Sequence, residues 1–177
     1  SSDVCSSDLE FGQVQTLMRQ VSGIIMADHK KQLVAGRLMK RLKALGCRNF
    51  SEYVALLLDP AQQDERRLAV DLLTTNETFF FREEAHFQFL RAVLADWDSR
   101  PLRIWSAACS SGEEVYSICM LLNELLVGRN NWSVLGSDLC RHALESARSG
   151  IYPMSRAQGI PPAYLKRYCL KGIGELE

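Results

Sequence analysis

The residues best suited to chemistry lie in a turn of small side chains that two acids follow. Residues 107–112 read AACSSG, and Glu113 and Glu114 come directly after them. Small side chains let a ligand approach the backbone closely, and a helix that starts here directs its unpaired N–H groups at the same place. The pattern predicts a site for a nucleotide-sized ligand. It is equally typical of empty turns in α/β proteins, because it has one glycine where dinucleotide fingerprints have three.

Asp138 is the second candidate, because it ends an apolar run that begins at residue 133. In α/β nucleotide sites, an acid at the end of the second strand, about 20 to 30 residues beyond the first turn, accepts hydrogen bonds from ribose hydroxyls. Asp138 follows the small-residue turn at about this distance, so it is predicted to bind a ribose.

Two strands and a helix must position these groups. Apolar runs predict a buried strand at residues 102–105 and a second strand at 133–138. Between them, apolar residues at helical spacing predict a helix directly after the turn: Val115, Ile118, Cys119, Leu121, Leu122 and Leu125. Further helices are predicted over residues 85–97, 143–149 and 163–168. The second half of the chain is therefore predicted to be α/β, with an incomplete sheet.

Residues 74–83 read TTNETFFFRE and precede this α/β region. Three consecutive aromatic residues between hydroxyl and amide side chains suit neither a surface loop nor a regular helix. The segment is therefore predicted to be buried, with its polar groups hydrogen-bonded. The alternative is a polar linker with an aromatic anchor.

The first part of the chain is predicted to be a helical bundle. Apolar residues at helical spacing predict helices over residues 10–25, 29–45, 49–58 and 63–73. Asn49, with Glu52 three residues later, resembles a capping box that starts the third of these helices, and Pro60 ends it.

The second predicted helix carries one sign of charge. Seven basic residues and no acidic residue lie between residues 30 and 48. One interpretation is a solvated helix face; the other is a surface that docks an acidic partner. The candidate docking residues are Lys31, Arg37, Lys40, Arg41 and Lys43.

The bulk composition excludes several classes of protein. The 177 residues carry a formal net charge of zero, and the hydrophobic 47% is spread in runs shorter than the roughly 18 residues of a membrane span. Six cysteines form no C-x-x-C pair and do not cluster with histidines, so we expect reduced thiols of a cytoplasmic protein and no metal site. The polar start shows no secretory signal, and residues 1–9 are expected to be a disordered or non-native leader.

Four segments, in this order, resemble the CheR family of chemotaxis receptor methyltransferases: TTNETFFFRE, SAACSSGEEVYSI, SDLCRHALESARSGIYP and IPPAYLKRY. The resemblance implies a helical N-terminal domain at residues 10–75 and a linker with a cofactor lid at 76–84. Residues 85–177 would then be the first part of a Rossmann-like, S-adenosylmethionine-dependent methyltransferase domain. Such enzymes methylate glutamate side chains of bacterial chemoreceptors and release S-adenosylhomocysteine.

The resemblance also implies roles for individual residues. Cofactor contacts would fall on Asn76, Thr78, Arg82, Glu113 and Asp138, with Arg82 as the candidate catalytic residue that orients the receptor glutamate. The basic helix would face the receptor. Departures within the motifs are modest: Val115 stands where proline is usual, Phe79 where a smaller residue is common, and SDLC at residues 137–140 where the family has T-D-I-D.

The family's later strands and its small β subdomain would lie beyond residue 177, so this chain is expected to be an incomplete, inactive fragment. Its implied partners are the cytoplasmic helices of methyl-accepting receptors, with no nucleic acid, no membrane insertion and a monomeric state. Two other functions stay open. One is a basic helical module that binds protein or nucleic acid, without catalysis, on a partial Rossmann-like scaffold. The other is a CheR-like methyltransferase or cofactor sensor outside chemotaxis.

Overall fold

The computed structural model describes residues 7–98 and 100–172, and the fold divides into two units, Ser1–Thr75 and Asn76–Glu177. The leader predicted over residues 1–9 is wrong for Asp8 and Leu9, which are helical. Its first six residues lie outside the described residues.

All regular elements of the first unit between residues 7 and 75 are helices. The bounds are α1 Asp8–Ser22, a short 3-10 helix Asp28–Lys30, α2 Lys31–Ala44, α3 Phe50–Leu58 and α4 Gln63–Leu73. The predicted all-helical fold of this part of the chain is confirmed, and α4 has the predicted bounds. The second predicted helix differs at its start, where the 3-10 turn precedes α2.

Capping chemistry explains where α1 and α2 end. The Ser7 hydroxyl accepts a hydrogen bond from the Glu10 N–H, and the Glu10 carboxylate accepts one from the Ser7 N–H, so α1 begins directly after Ser7. Gly23, in the left-handed conformation at φ 73°, ends α1. The predicted helix through residue 25 is therefore too long, and Ile25 is 82% exposed. Gly46 directly follows the second predicted helix, where a glycine is a typical stop, and it closes α2 in a Schellman motif.

The four helices of the first unit share one apolar core. Helix α1 packs on α3, α2 packs on α4, and α3 packs on α4. The buried side chains include Val14, Met18, Val34, Leu38, Tyr53, Val54 and Leu57. Burial of each large apolar side chain contributes about 1.5–3 kcal/mol, so packing rather than helix propensity stabilises this unit.

The second unit alternates helices and strands. The bounds are α5 Glu84–Ala95, β1 Leu102–Ala107, α6 Glu113–Leu125, β2 Trp132–Ser137, α7 Arg141–Ser149, a 3-10 helix Met154–Gly159 and α8 Pro162–Tyr168. Strands β1 and β2 are parallel and pair from Leu102 opposite Trp132 to Ala107 opposite Ser137. Within the described residues the sheet has these two strands, as the sequence predicts for an incomplete α/β fold.

The two faces of this sheet differ. One face packs against α5 and α6 through a core that includes Phe87, Leu94, Leu102, Ile118, Leu121 and Leu122. On the other face Trp105 and Leu135 pair in register and are 67% and 64% exposed. Parallel sheets are normally covered on both faces, so the apolar pair is an unusual exposure within the described chain.

Candidate functional site

The small-residue turn is fixed at the carboxyl ends of both strands. The Cys109 N–H donates to the Ser137 carbonyl at 2.9 Å, which ties the turn to the end of β2. Ala108 and Ser110 adopt the left-handed conformation at φ 64° and 49°, and Gly112 follows at φ 94° directly before α6. Left-handed non-glycine residues are uncommon and cluster at ligand sites. The carboxyl ends of parallel strands are also where open α/β sheets bind ligands.

Asp138 is anchored to this turn through both of its carboxylate oxygens. Its Oδ2 accepts the Ser110 N–H at 2.7 Å, and its Oδ1 accepts the Cys140 N–H at 2.8 Å. An ionised carboxylate offers about four acceptor positions, so each oxygen keeps a lone pair for a ligand hydroxyl. The backbone hydrogen bonds therefore orient the carboxylate without saturating it.

The segment at residues 76–82 is hydrogen-bonded to the turn and to α6. The Asn76 carbonyl accepts the Ser110 hydroxyl at 2.9 Å. The Phe81 N–H donates to the Ser117 hydroxyl at 3.0 Å, and that hydroxyl donates to the Glu113 carbonyl at 2.6 Å. Ser110 therefore brings Asn76 and Asp138, two predicted cofactor contacts, to one place.

Aromatic packing holds the middle of the same segment. Phe80 is buried, and its ring centroid lies 5.0 Å from that of Tyr152. A Cβ added to Gly159 would lie 2.2 Å from the Phe80 carbonyl oxygen. The 3-10 helix can therefore approach Phe80 this closely only with glycine at position 159. Phe81 is half-buried and contacts Phe87 with ring centroids 5.0 Å apart. The predicted burial is right for Phe80, partial for Phe81 and wrong for Phe79, which is 49% exposed.

Arg82 and Thr78 are not hydrogen-bonded to the turn or to Asp138. Arg82 is exposed; its Nη1 donates to the Glu77 carbonyl at 2.7 Å, and its guanidinium lies 5.7 Å from the Phe79 ring centroid. Thr78 is half-buried. These contacts keep Arg82 within its own segment, where it retains donors for another molecule. The predicted roles of Arg82 and Thr78 stay predictions.

Glu113, the first residue of α6, is fully buried and paired with Arg156. Its Oε2 accepts the Ser111 hydroxyl at 2.6 Å, and its Oε1 forms an ion pair with Nη1 of Arg156. The same Nη1 donates to the Ser111 hydroxyl at 3.0 Å. Tyr152 donates to the Ser111 carbonyl at 2.5 Å. Burial raises the pKa of Tyr152, and the charge of Glu113 raises it further, so the phenol stays a donor.

Sequence reasoning missed Arg156. It lies 43 residues from Glu113 and comes from the 3-10 helix Met154–Gly159, so no local spacing rule connects the two. The only sequence signal is an arginine close to the GIYP segment of the resemblance, which by itself specifies no partner.

The five candidate docking residues fall into two groups. Lys40 and Lys43 are exposed, whereas Lys31, Arg37 and Arg41 are half-buried and bonded within the first unit. Lys31 forms an ion pair with Asp8 at 2.8 Å, although that carboxylate is itself fully exposed. The basic helix therefore offers fewer unengaged cations than its sequence suggests.

Arg37 caps the carboxyl end of α4. Its Nη1 donates to the carbonyls of Leu72 at 3.3 Å, Leu73 at 3.0 Å and Thr74 at 3.1 Å. Its Nη2 lies 3.4 Å from the Thr75 hydroxyl. The last carbonyls of a helix have no partner within the helix, so these bonds satisfy groups that would otherwise need water.

Arg41 forms a two-point ion pair with Glu65, which is 9% exposed. Its Nε lies 3.1 Å from Oε1 and its Nη2 lies 2.5 Å from Oε2. Tyr53 donates to Oε1 at 2.8 Å. Burial would raise the pKa of Glu65, but the hydrogen bonds from Arg41 and Tyr53 outweigh it and lower the pKa. Burial and the Glu65 charge raise the pKa of Tyr53.

The groups at the turn suit a nucleoside that carries an amino-acid arm. Asp138 can accept two ribose hydroxyls, and the pair of Glu113 and Arg156 lies one residue further along the turn, with Arg156 as its exposed member.

No group of three or more His, Cys, Asp and Glu side chains is placed to hold a metal ion within residues 7–98 and 100–172. None of the helices over the same ranges is long and apolar enough to cross a membrane. The five described cysteines are free thiols.

Two protein families match the two parts of the chain. Residues 9–74 match "CheR methyltransferase, all-alpha domain", and residues 76–175 match "CheR methyltransferase, SAM binding domain". SAM is S-adenosylmethionine, the cofactor that the resemblance implies. The matches meet between residues 74 and 76, where the fold divides into its two units.

Individual relatives are similar over almost the whole chain. The chemotaxis protein methyltransferase of Escherichia coli strain K12 is 42% identical over 172 residues, which cover 97% of this chain and 60% of that protein. The Salmonella typhimurium strain LT2 protein of the same name is 41% identical, with 97% and 59% covered. Chemotaxis protein methyltransferase 2 of Pseudomonas aeruginosa strain PAO1 is 42% identical, with 93% and 59% covered. The chain thus spans about 60% of the length of these curated relatives.

Proposed function

The chain belongs to the CheR methyltransferase family, and we propose that its protein transfers the methyl group of S-adenosylmethionine to glutamate side chains of bacterial chemoreceptors. The observation that carries the proposal is the anchored Asp138 beside the small-residue turn, within a region that matches the family's SAM-binding domain. The relatives' name, chemotaxis protein methyltransferase, supports the receptor as substrate.

Each predicted cofactor residue has a part in this proposal. Asp138 accepts the ribose hydroxyls, while Asn76 and Thr78 border the cofactor from the segment that Ser110 holds against the turn. Glu113 belongs to the part of the site that takes the amino-acid arm of the cofactor. The hydrogen bonds of Asn76 and Asp138 to one serine support a shared site, because they fix both residues to the same turn.

The proposed reaction needs positioning more than acid or base chemistry. The bound cofactor supplies an electrophilic methyl group on a sulfonium, which a carboxylate attacks in line as the charges neutralise. The protein then has to align the two reactants and exclude water. Arg82 would orient the receptor glutamate and keep it ionised through paired hydrogen bonds. Its exposure and its unengaged donors support that part.

The basic helix α2 is the proposed receptor-facing surface, with Lys40 and Lys43 as its outward charges. Lys31, Arg37 and Arg41 were predicted to share this surface. Their bonds to other residues of the first unit give them a structural role in holding α2 in place. The same bonds weaken the alternative of a basic module that binds nucleic acid, because such a module needs its cations free for phosphates. We further propose a cytoplasmic monomer that binds no nucleic acid.

The decisive experiment uses the full-length product of the gene. It is incubated with methyl-labelled S-adenosylmethionine and a chemoreceptor cytoplasmic fragment, and we expect label in base-labile glutamyl esters. Asp138→Asn should weaken binding of S-adenosylhomocysteine and slow transfer in parallel. Binding of the cofactor without transfer to receptor would favour a sensor or another substrate. Absence of cofactor binding would overturn the proposal.

Residues 1–177 alone should bind S-adenosylhomocysteine poorly and transfer little or no methyl. Ligand pockets normally bury about 70–90% of a ligand of this size, and this chain covers 60% of the length of the Escherichia coli relative. Calorimetry on residues 1–177 measures this directly, and an affinity equal to that of the full-length protein would contradict it.

A further inference from the structure

Arg156 presents unused hydrogen-bond donors beside the small-residue turn. Its side chain is 41% exposed, and its bonds to Glu113 and Ser111 both use Nη1. Within residues 7–98 and 100–172, no hydrogen bond engages its Nε or Nη2. A guanidinium held at one corner with its remaining N–H groups open is arranged to receive a planar anion.

We infer that Arg156 binds the α-carboxylate of the cofactor's amino-acid arm and that Glu113 acts behind it as a positioning residue. The inference rests on the proposed function, since it assigns a part of the same S-adenosylmethionine site. It differs from the resemblance, which places the cofactor contact on Glu113 and gives Arg156 no role.

Burial decides which member of the pair meets the ligand. Glu113 is fully buried, and both of its carboxylate oxygens are occupied, one by Ser111 and the other by Arg156. A ligand ammonium could reach Glu113 only by displacing Arg156 and stranding its charge. A ligand carboxylate reaches Arg156 with no displacement, because that side chain is the exposed member of the pair.

Arg156 and Asp138 contact neighbouring residues of the turn. Asp138 is bonded to Ser110, and Arg156 is bonded to Ser111, so the two contacts are on neighbouring residues. A cofactor whose ribose binds Asp138 would therefore begin its amino-acid arm beside the residue that Arg156 contacts. The positive charge of the exposed Arg156 complements the carboxylate of that arm.

Calorimetry with two ligands tests the assignment in the full-length protein. S-adenosylhomocysteine carries the amino-acid arm, and methylthioadenosine has the same nucleoside and a neutral thioether without the arm. Arg156→Gln should weaken S-adenosylhomocysteine by about 10- to 100-fold and leave methylthioadenosine unchanged. Arg156→Lys keeps the charge but not the fork, so it should give an intermediate loss. Arg148→Gln, an exposed arginine on α7, is the matched control and should change neither affinity.

Each other outcome overturns the inference in its own way. Equal losses for both ligands would make Arg156 a structural support of the turn. Tighter S-adenosylhomocysteine binding by Arg156→Gln would mean that Arg156 competes with the ligand ammonium for Glu113. Unchanged affinity for both would exclude contact. A wild-type protein that binds neither ligand would instead overturn the proposed function on which the inference rests.

Discussion

Each unit of the molecule contains a buried glutamate paired with an arginine and a hydroxyl, and the two sites are completed differently. In the first unit Glu65 receives two nitrogens of Arg41 and the Tyr53 hydroxyl. In the second unit Glu113 receives one nitrogen of Arg156 and the Ser111 hydroxyl. The residue types are nearly the same. Arg41 uses two nitrogens to bind its glutamate, whereas Arg156 uses one and leaves its other N–H donors open.

The difference separates a structural ion pair from one suited to binding. A buried pair contributes to stability only when its geometry and hydrogen bonds offset the desolvation of both charges, which the fork of Arg41 and the phenol of Tyr53 achieve for Glu65. The second pair is less complete, and its exposed arginine lies at a turn where strands end. Incomplete satisfaction beside a ligand-sized turn is a more useful guide to function than charge or burial alone.

The largest effect is expected from breaking the first pair. Arg41→Ala would leave Glu65 buried with only Tyr53, so it should lower the free energy of unfolding of the first unit by about 2–3 kcal/mol, below the range for fully buried pairs. Lys40→Ala on the same helix should stay within about 0.5 kcal/mol. Urea unfolding followed by circular dichroism measures both. All three tryptophans lie in the second unit, so tryptophan fluorescence reports on that unit separately. Equal losses of unfolding free energy in the two variants would show that the Arg41–Glu65 pair has no special structural role.

The same substitution in the two pairs should separate binding from support. Glu113→Gln keeps an acceptor but holds Arg156 less firmly, so we expect S-adenosylhomocysteine affinity to fall by about 3- to 10-fold in the full-length protein. Glu65→Gln should leave that affinity unchanged. Calorimetry on both variants decides the matter, and an equal loss in each would show that the second pair is not special.

Acid should weaken the first pair in a definite direction. The folded-state pKa of Glu65 lies below its ordinary value of 4.5, so its contribution to stability is present above pH 4.5 and is lost as pH falls through the folded pKa. Urea midpoints of the first unit, measured between pH 6 and about pH 3, should therefore fall on the acid side. Glu65→Gln should flatten that part of the profile, and an identical profile in the variant would exclude Glu65 as the source.

The smallest effect is expected on the exposed side of α2. Lys40→Glu with Lys43→Glu should slow receptor methylation by about 2- to 5-fold at low salt, since exposed charges mainly affect encounter and register. The defect should shrink with salt, because the Debye length falls from about 10 Å at 0.1 M to about 3 Å at 1 M. Arg19→Glu with Arg67→Glu makes the same charge change on α1 and α4. If both double variants are equally slow, net charge rather than the α2 surface is responsible.

The sequence was most informative where a local pattern determines the structure. The strand before the turn, the helix that starts at Glu113 and the strand ahead of Asp138 all follow from hydrophobic spacing and short-range punctuation. The same is true of Gly46, which must be left-handed to end α2. In α5 the helical spacing of apolar residues did not show which of them are buried, because Leu94 and Phe87 are buried whereas Phe89 is 70% exposed.

Partners that are distant in sequence could not be predicted. A run of basic residues looks the same whether an arginine faces water, pairs with a glutamate as Arg41 does, or caps a helix as Arg37 does. Arg156 meets Glu113 only because the chain after α7 returns to the turn. Geometry of this kind depends on how helices pack, which no spacing rule encodes.

The open sheet face affects how residues 1–177 behave in solution when they are expressed alone. Trp105 and Leu135 place an apolar patch at the centre of a two-stranded sheet whose outer strand edges have no ladder partner among residues 7–98 and 100–172. Exposed apolar patches and unpaired edges both promote association between copies. Residues 1–177 expressed alone are therefore expected to self-associate, so that their light scattering grows with concentration. Dilute samples or a soluble fusion partner should reduce this association.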